Sequence, residues 1–202
     1  MTMNRREAIQ RASMVLGYAL TGPAIAGVLN GCKAVPELGY KPVFFTEDQA
    51  ATISELAEVI IPKTKTPGAK DAGVPRFIDQ MLKEIYKKEE QDEFLKGLTA
   101  FESDAQKEYG DSFFECSPEQ RIAFVKKHHD AAYSKGVDGG SSGWWNAGSG
   151  GEKPFILKVK ELTLLGFFTS EPGATQVLQY KQVPGPFQGC VPLAEVGKTW
   201  TT

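Results

Sequence analysis

The sequence is poor in the residues from which most active sites are built. Of its 202 residues only two are histidine and three are cysteine, which leaves little material for a metal centre. It contains no Cys-x-x-Cys-His run to attach haem. Neither a Gly-x-Gly-x-x-Gly run nor a Gly-x-x-x-x-Gly-Lys-Ser/Thr run is there to cradle a nucleotide. A self-contained nucleotide-dependent enzyme is therefore disfavoured. An excess of positive charge is missing too: 23 basic residues stand against 25 acidic ones, so nothing calls for a nucleic-acid partner. No alternating stretch is long enough for a convincing sheet. What is present, 41% apolar and 24% charged residues, suffices for one domain with a sizeable core, and at 202 residues the chain is too short for a typical two-domain enzyme. The 21 glycines and 12 prolines predict long loops without wholesale disorder.

The first 31 residues read as an address. Arg5 and Arg6 form a pair ahead of an apolar stretch from Ala12 to Leu29 that is rich in Gly and Ala. A short basic region followed by such a run is what export machinery recognises, and the paired arginines point to the twin-arginine route. The alternative is an uncleaved membrane helix, since about 18 residues can just span a bilayer. Glycines and Pro23 within the run argue against a permanent helix. Leu29-Asn30-Gly31-Cys32 resembles a bacterial lipobox, with Cys32 as the residue that takes the lipid. The expected organisation is then an export signal over 1–31, a tether over 32–43 and a helical domain over 44–202.

The domain reads as mainly α, a single compact bundle of about five helices with long Gly/Pro-rich loops and an extended C-terminal tail. Thr46 and Gln49 form a capping box, and Ile53, Leu56, Ala57 and Ile60 share one face of the helix that follows. Pro62 ends it. Pro75 can open a second helix, with Phe77, Ile78, Met81, Leu82 and Ile85 as its apolar face. The charged run Lys83 to Glu93 reads as a solvated turn region. A third helix carries Phe94, Leu98, Phe101, Ala105 and Tyr109 and ends at Gly110. Ser117 and Gln120 form a second capping box ahead of a fourth helix, whose predicted face is Ile122, Val125, His129 and Ala132. A fifth, from about Pro154 to Phe168, presents Phe155, Ile156, Val159, Leu162 and Thr163. From Ser170 onward, recurring proline and glycine predict an extended, turn-rich tail.

Few residues invite chemistry. His128 and His129 are adjacent on a helix and point about 100° apart, so they cannot share a metal unaided. Neither a catalytic, a cofactor-binding nor a metal-binding set is expected in this chain. An exported setting permits a disulfide between Cys116 and Cys190, and the alternative is two small buried residues. Trp144 and Trp145 sit in a segment, Gly136 to Glu152, with seven glycines and three serines. Two indoles there either fold over the helical body or anchor a partner protein, because tryptophan is enriched at interface hot spots. The tail from Gly173 to Leu193, with Val177, Leu178, Tyr180, Phe187 and Val191, is too apolar for simple disorder. Together with the Trp144-Trp145 segment it is expected to form a docking surface.

Three stretches carry a resemblance. They are Ile60-Ile61-Pro62-Lys63-Thr64-Lys65-Thr66-Pro67-Gly68-Ala69 continuing through Ala72-Gly73-Val74-Pro75-Arg76-Phe77-Ile78-Asp79, then Lys160-Glu161-Leu162-Thr163-Leu164-Leu165-Gly166-Phe167-Phe168-Thr169-Ser170-Glu171-Pro172-Gly173, and Pro184-Gly185-Pro186-Phe187-Gln188-Gly189-Cys190. In this order, behind an export signal, they resemble the small subunit (subunit 3, or gamma) of membrane-bound gluconate 2-dehydrogenase and related sugar dehydrogenases. The resemblance spans roughly Phe44 to Trp200.

The resemblance implies a non-catalytic partner. In such complexes a large flavoprotein of the glucose–methanol–choline oxidoreductase family holds FAD and oxidises the sugar, and a separate cytochrome c often takes the electrons. The small subunit carries the twin-arginine signal and helps to export the folded flavoprotein. A periplasmic, lipid-anchored accessory subunit is thus the leading expectation. The rivals are a free-standing lipoprotein that stacks a carbohydrate on Trp144 and Trp145, and an enzyme acting alone.

Overall fold

Thr46 sets the start of the first helix. Its hydroxyl accepts the Gln49 N–H at 3.3 Å, and the Gln49 side-chain carbonyl accepts the Thr46 N–H at 3.1 Å, the reciprocal box the sequence predicts. In the computed structural model of the protein, which describes residues 38–134, 153–183, 185–186 and 189–201, this helix, α1, runs Glu47–Ile60. It buries Ala50, Ile53, Leu56 and Ala57. The turn from Ile61 to Gly73 is tightly held: the Glu58 carboxylate accepts the Lys63 N–H at 2.8 Å and the Lys70 N–H at 3.0 Å. Gly68 passes so close that a Cβ would lie 2.7 Å from the Lys63 nitrogen; a side chain there would force this turn open.

Gly73 adopts the left-handed region at φ +70° and hands the chain to α2, Val74–Glu84, with proline in its first turn. The third helix, α3, spans 22 residues, Lys88–Tyr109, and closes on Gly110 at φ +83°. It starts earlier than the charged run suggests. Residues 88–93 are helical because Glu90 accepts the Lys87 N–H at 3.0 Å and Lys88 pairs with Asp92 at 2.7 Å, which makes these charges the solvated face of a helix rather than a turn. After a short 3₁₀ turn, Phe113–Glu115, α4 covers Pro118–Ser134. Its Ser117/Gln120 capping box forms as expected.

The last long helix, α5, runs Phe155–Phe168 and packs on all four others. It is accordingly apolar nearly all round, burying Ile156, Leu157, Val159, Leu162 and Phe167. The close approach of α2 needs Gly166, where a Cβ would meet the Phe77 ring at 2.6 Å. At the centre lies an aromatic cluster: Phe101 meets Phe124, Phe113 and Phe155 at 4.9, 5.0 and 5.6 Å between ring centroids. These edge and tilted pairings each add about 0.5–1.5 kcal/mol beyond area burial.

Two expectations are corrected here. The buried face of α4 is Phe124, His128 and Ala132, whereas Ile122 is exposed. The tail is less extended than its composition suggests. Gly173–Val177 winds into a π-helical turn and Leu193–Val196 forms a short helix, α6. The backbone of Gln179 bonds both to Thr199 at 2.9 Å and to Thr201 at 3.1 Å, so the tail folds back on itself through a single parallel bridge. Among the described residues the fold is otherwise helical, as predicted. No helix there is long and apolar enough to cross a membrane.

Candidate functional site

The two histidines part as the helical step requires. His128 lies against Phe124 and Phe101, 4.3 and 5.2 Å between ring centroids, and burial pushes its pKa down, with Lys127 adding to the shift and Asp104 and Glu108 opposing it. His129 faces α5 instead, where the Lys160 ammonium donates to its Nε2 at 3.0 Å. An ammonium has no lone pair, so the ring nitrogen is the acceptor. Among the described residues no group of three His, Cys, Asp or Glu could hold a metal.

The cysteines part as well. Cys116 and Cys190 are both free, the first buried and the second exposed, so the disulfide weighed from the sequence is not formed. Cys116 donates weakly to the Ser112 carbonyl at 3.4 Å, and burial holds its thiol above the ordinary range. Arg5, Arg6, Cys32, Trp144, Trp145 and Phe187 lie outside the described residues.

Asp79 is a residue the apolar pattern did not single out. It is fully buried, and its carboxylate accepts the N–H groups of Val43, Phe44 and Phe45 at 2.7, 3.0 and 2.9 Å. The signal was legible: Pro75, Ile78, Asp79 and Leu82 follow the i, i+3, i+4, i+7 rule, which places a carboxylate on the apolar stripe of α2. A cleft of about 310 Å³ beside it is bordered by Tyr40, Lys41 and Arg76. Burial, and then Asp79, raise the Tyr40 phenol well above its usual range. The Asp79 carboxylate is thus committed to three backbone amides.

A second hollow, a groove of about 250 Å³, runs between α1, α4 and α5. Its walls are Val59 and Ile60, Ile122 and Val125, and Ile156, with Lys126, His129 and Lys160 on the rim. Among the described residues no carboxylate lines it. Of the α4 face that the sequence assigns to the core, Ala132 is buried and Val125 packs on the core edge, while Ile122 lies outward on this groove and His129 on its rim.

The described residues therefore form a small helical domain that carries a groove with apolar walls and a cationic rim. The model of the family described as gluconate 2-dehydrogenase subunit 3 matches residues 47–185, and the chain belongs to that family. The family is that of one subunit within a dehydrogenase complex of several subunits. No curated protein and no solved structure is similar enough to match.

Proposed function

We propose that this chain is the non-catalytic small subunit of an exported FAD-dependent sugar or glycoside dehydrogenase. Its roles are to supply the export signal and to assist export, assembly and membrane attachment of the large flavoprotein. The observation that carries the reading is the family match over residues 47–185 lying behind an Arg5-Arg6 signal and a lipobox-like Cys32. FAD belongs to the partner, of the glucose–methanol–choline class, and a separate cytochrome c often takes the electrons in complexes of this kind. Trp144, Trp145 and Phe187 are proposed as anchors toward the flavoprotein, and Cys32 as the lipid attachment that holds the complex at the periplasmic face of the membrane.

Deleting residues 1–31 tests the export role. The first helix begins at Glu47, and the residues ahead of it that pack on the core, from Leu38 to Phe45, all follow residue 31, so the shortened chain should fold, while both it and the flavoprotein remain in the cytoplasmic fraction. Normal export of both subunits without this segment would contradict the reading.

A further inference from the structure

Two sides of α4 carry apolar residues, and the aromatic core takes one of them. Phe124, His128 and Ala132 turn inward. Ile122 turns outward and is 57% exposed; with Val125, which packs on the edge of the core, it joins Val59, Ile60 and Ile156 in the groove. A single exposed apolar residue is common, but Ile122 stands over a hollow whose floor is the buried Ile156 and whose walls are the part-buried Val59, Ile60 and Val125, so a side chain set against it would meet apolar surface on several sides. The charged residues that line the rim are basic, and the Asp130 carboxylate stands 3.4 Å from the Nδ1 of His129. Lys126 and Lys160 edge the groove with His129, in a chain whose acidic residues outnumber the basic ones 25 to 23. Among the described residues no carboxylate pairs with either lysine; Lys160 instead donates to His129 and sits 5.5 Å from the centre of the Tyr133 ring.

We infer that this groove is a docking site for the catalytic subunit of the dehydrogenase, and that it takes an apolar segment carrying a carboxylate. The inference rests on the accessory-subunit reading and adds to it the surface used and the chemistry of the segment received. An aliphatic side chain of the partner fills the hollow beside Ile122, above Ile156, and displaces the water there. A carboxylate beside it meets Lys126 and Lys160, and this complementarity sets register and speeds encounter.

The test is affinity purification of the full-length chain from its own cells, reading the amount of flavin-bearing subunit retained. Ile122→Asp should cut retention more than tenfold. Lys126→Glu should cut it several-fold, and more at low than at high salt. Ile85→Asp, at a site 67% exposed and outside the groove, should change nothing, and helical circular dichroism should persist in all three. Should Ile122→Asp lose its helical signal, Lys126→Glu decides alone. Wild-type retention by both groove variants overturns the inference and leaves the accessory reading standing. A wild-type chain that retains no flavoprotein overturns both. If Ile122→Asp instead splits a dimer, or shifts tryptophan emission of the isolated chain, while retention holds, the groove belongs to a second copy or to residues 135–152, and the inference fails.

Discussion

Replacing Asp79 by alanine would leave the amides of Val43, Phe44 and Phe45 without their acceptor. Each part-buried donor so stranded costs on the order of 1 kcal/mol or more. The expected loss is about 3 kcal/mol, which lowers the melting temperature by roughly 6–12 °C for a chain of this size. Thermal denaturation followed by circular dichroism measures it; a change within a degree or two would mean that these amides find water instead. The free cysteines make a second expectation at this scale. Cys190 is exposed and Cys116 buried, with a thiol pushed up by burial and then by Asp111, so the reactive thiolate is scarce at Cys116. Alkylation of the native protein should label Cys190 within minutes and Cys116 only after denaturation. Recovery of a peptide linking the two would refute the unpaired state.

At the scale of helices, the elements whose ends are written in side chains were legible. Thr46/Gln49 and Ser117/Gln120 cap α1 and α4 as their spacing predicts, and Gly110 closes α3. The start of α3 was hidden because Lys88, Glu89 and Asp92 read alike on a solvated helix face and in a turn. The orientation of α4 was hidden for another reason. Its two apolar stripes differ by about one residue step, and periodicity cannot say which one meets the aromatic cluster. Packing chose Phe124 and His128, which left Ile122 outside. The folding back of the tail depends on backbone bonds between Gln179 and residues 199 and 201, a long-range pairing that local composition does not encode.

The choice of His128 as a core residue carries a pH dependence. Burial lowers its pKa below the ordinary 6.5, so the folded protein holds the ring neutral while the unfolded chain accepts a proton as pH falls. The unfolded state then binds more protons, and stability declines below about pH 6.5 until the folded-state pKa is reached. His128→Leu should flatten the denaturant midpoint between about pH 7 and pH 5. An unchanged slope in that variant would assign the pH dependence to other groups.

For the molecule as a whole, a helical body with a cation-edged groove belongs to the family of gluconate 2-dehydrogenase subunit 3. The three stretches that carried the resemblance make structural sense. The first includes the turn held by Glu58 and the start of α2 through Asp79, and the second includes most of the central helix α5 with Gly166 against Phe77. What the sequence could not place was the surface, because a groove is a property of three helices together. The proposed role as an accessory subunit is tested most directly by purifying the full-length chain from its own cells and measuring bound flavin against protein. The account predicts a large FAD-bearing subunit in fixed stoichiometry, with sugar-dependent dye reduction that is absent from this chain alone. Recovery of the chain without any flavoprotein, or with dehydrogenase activity of its own, would contradict it.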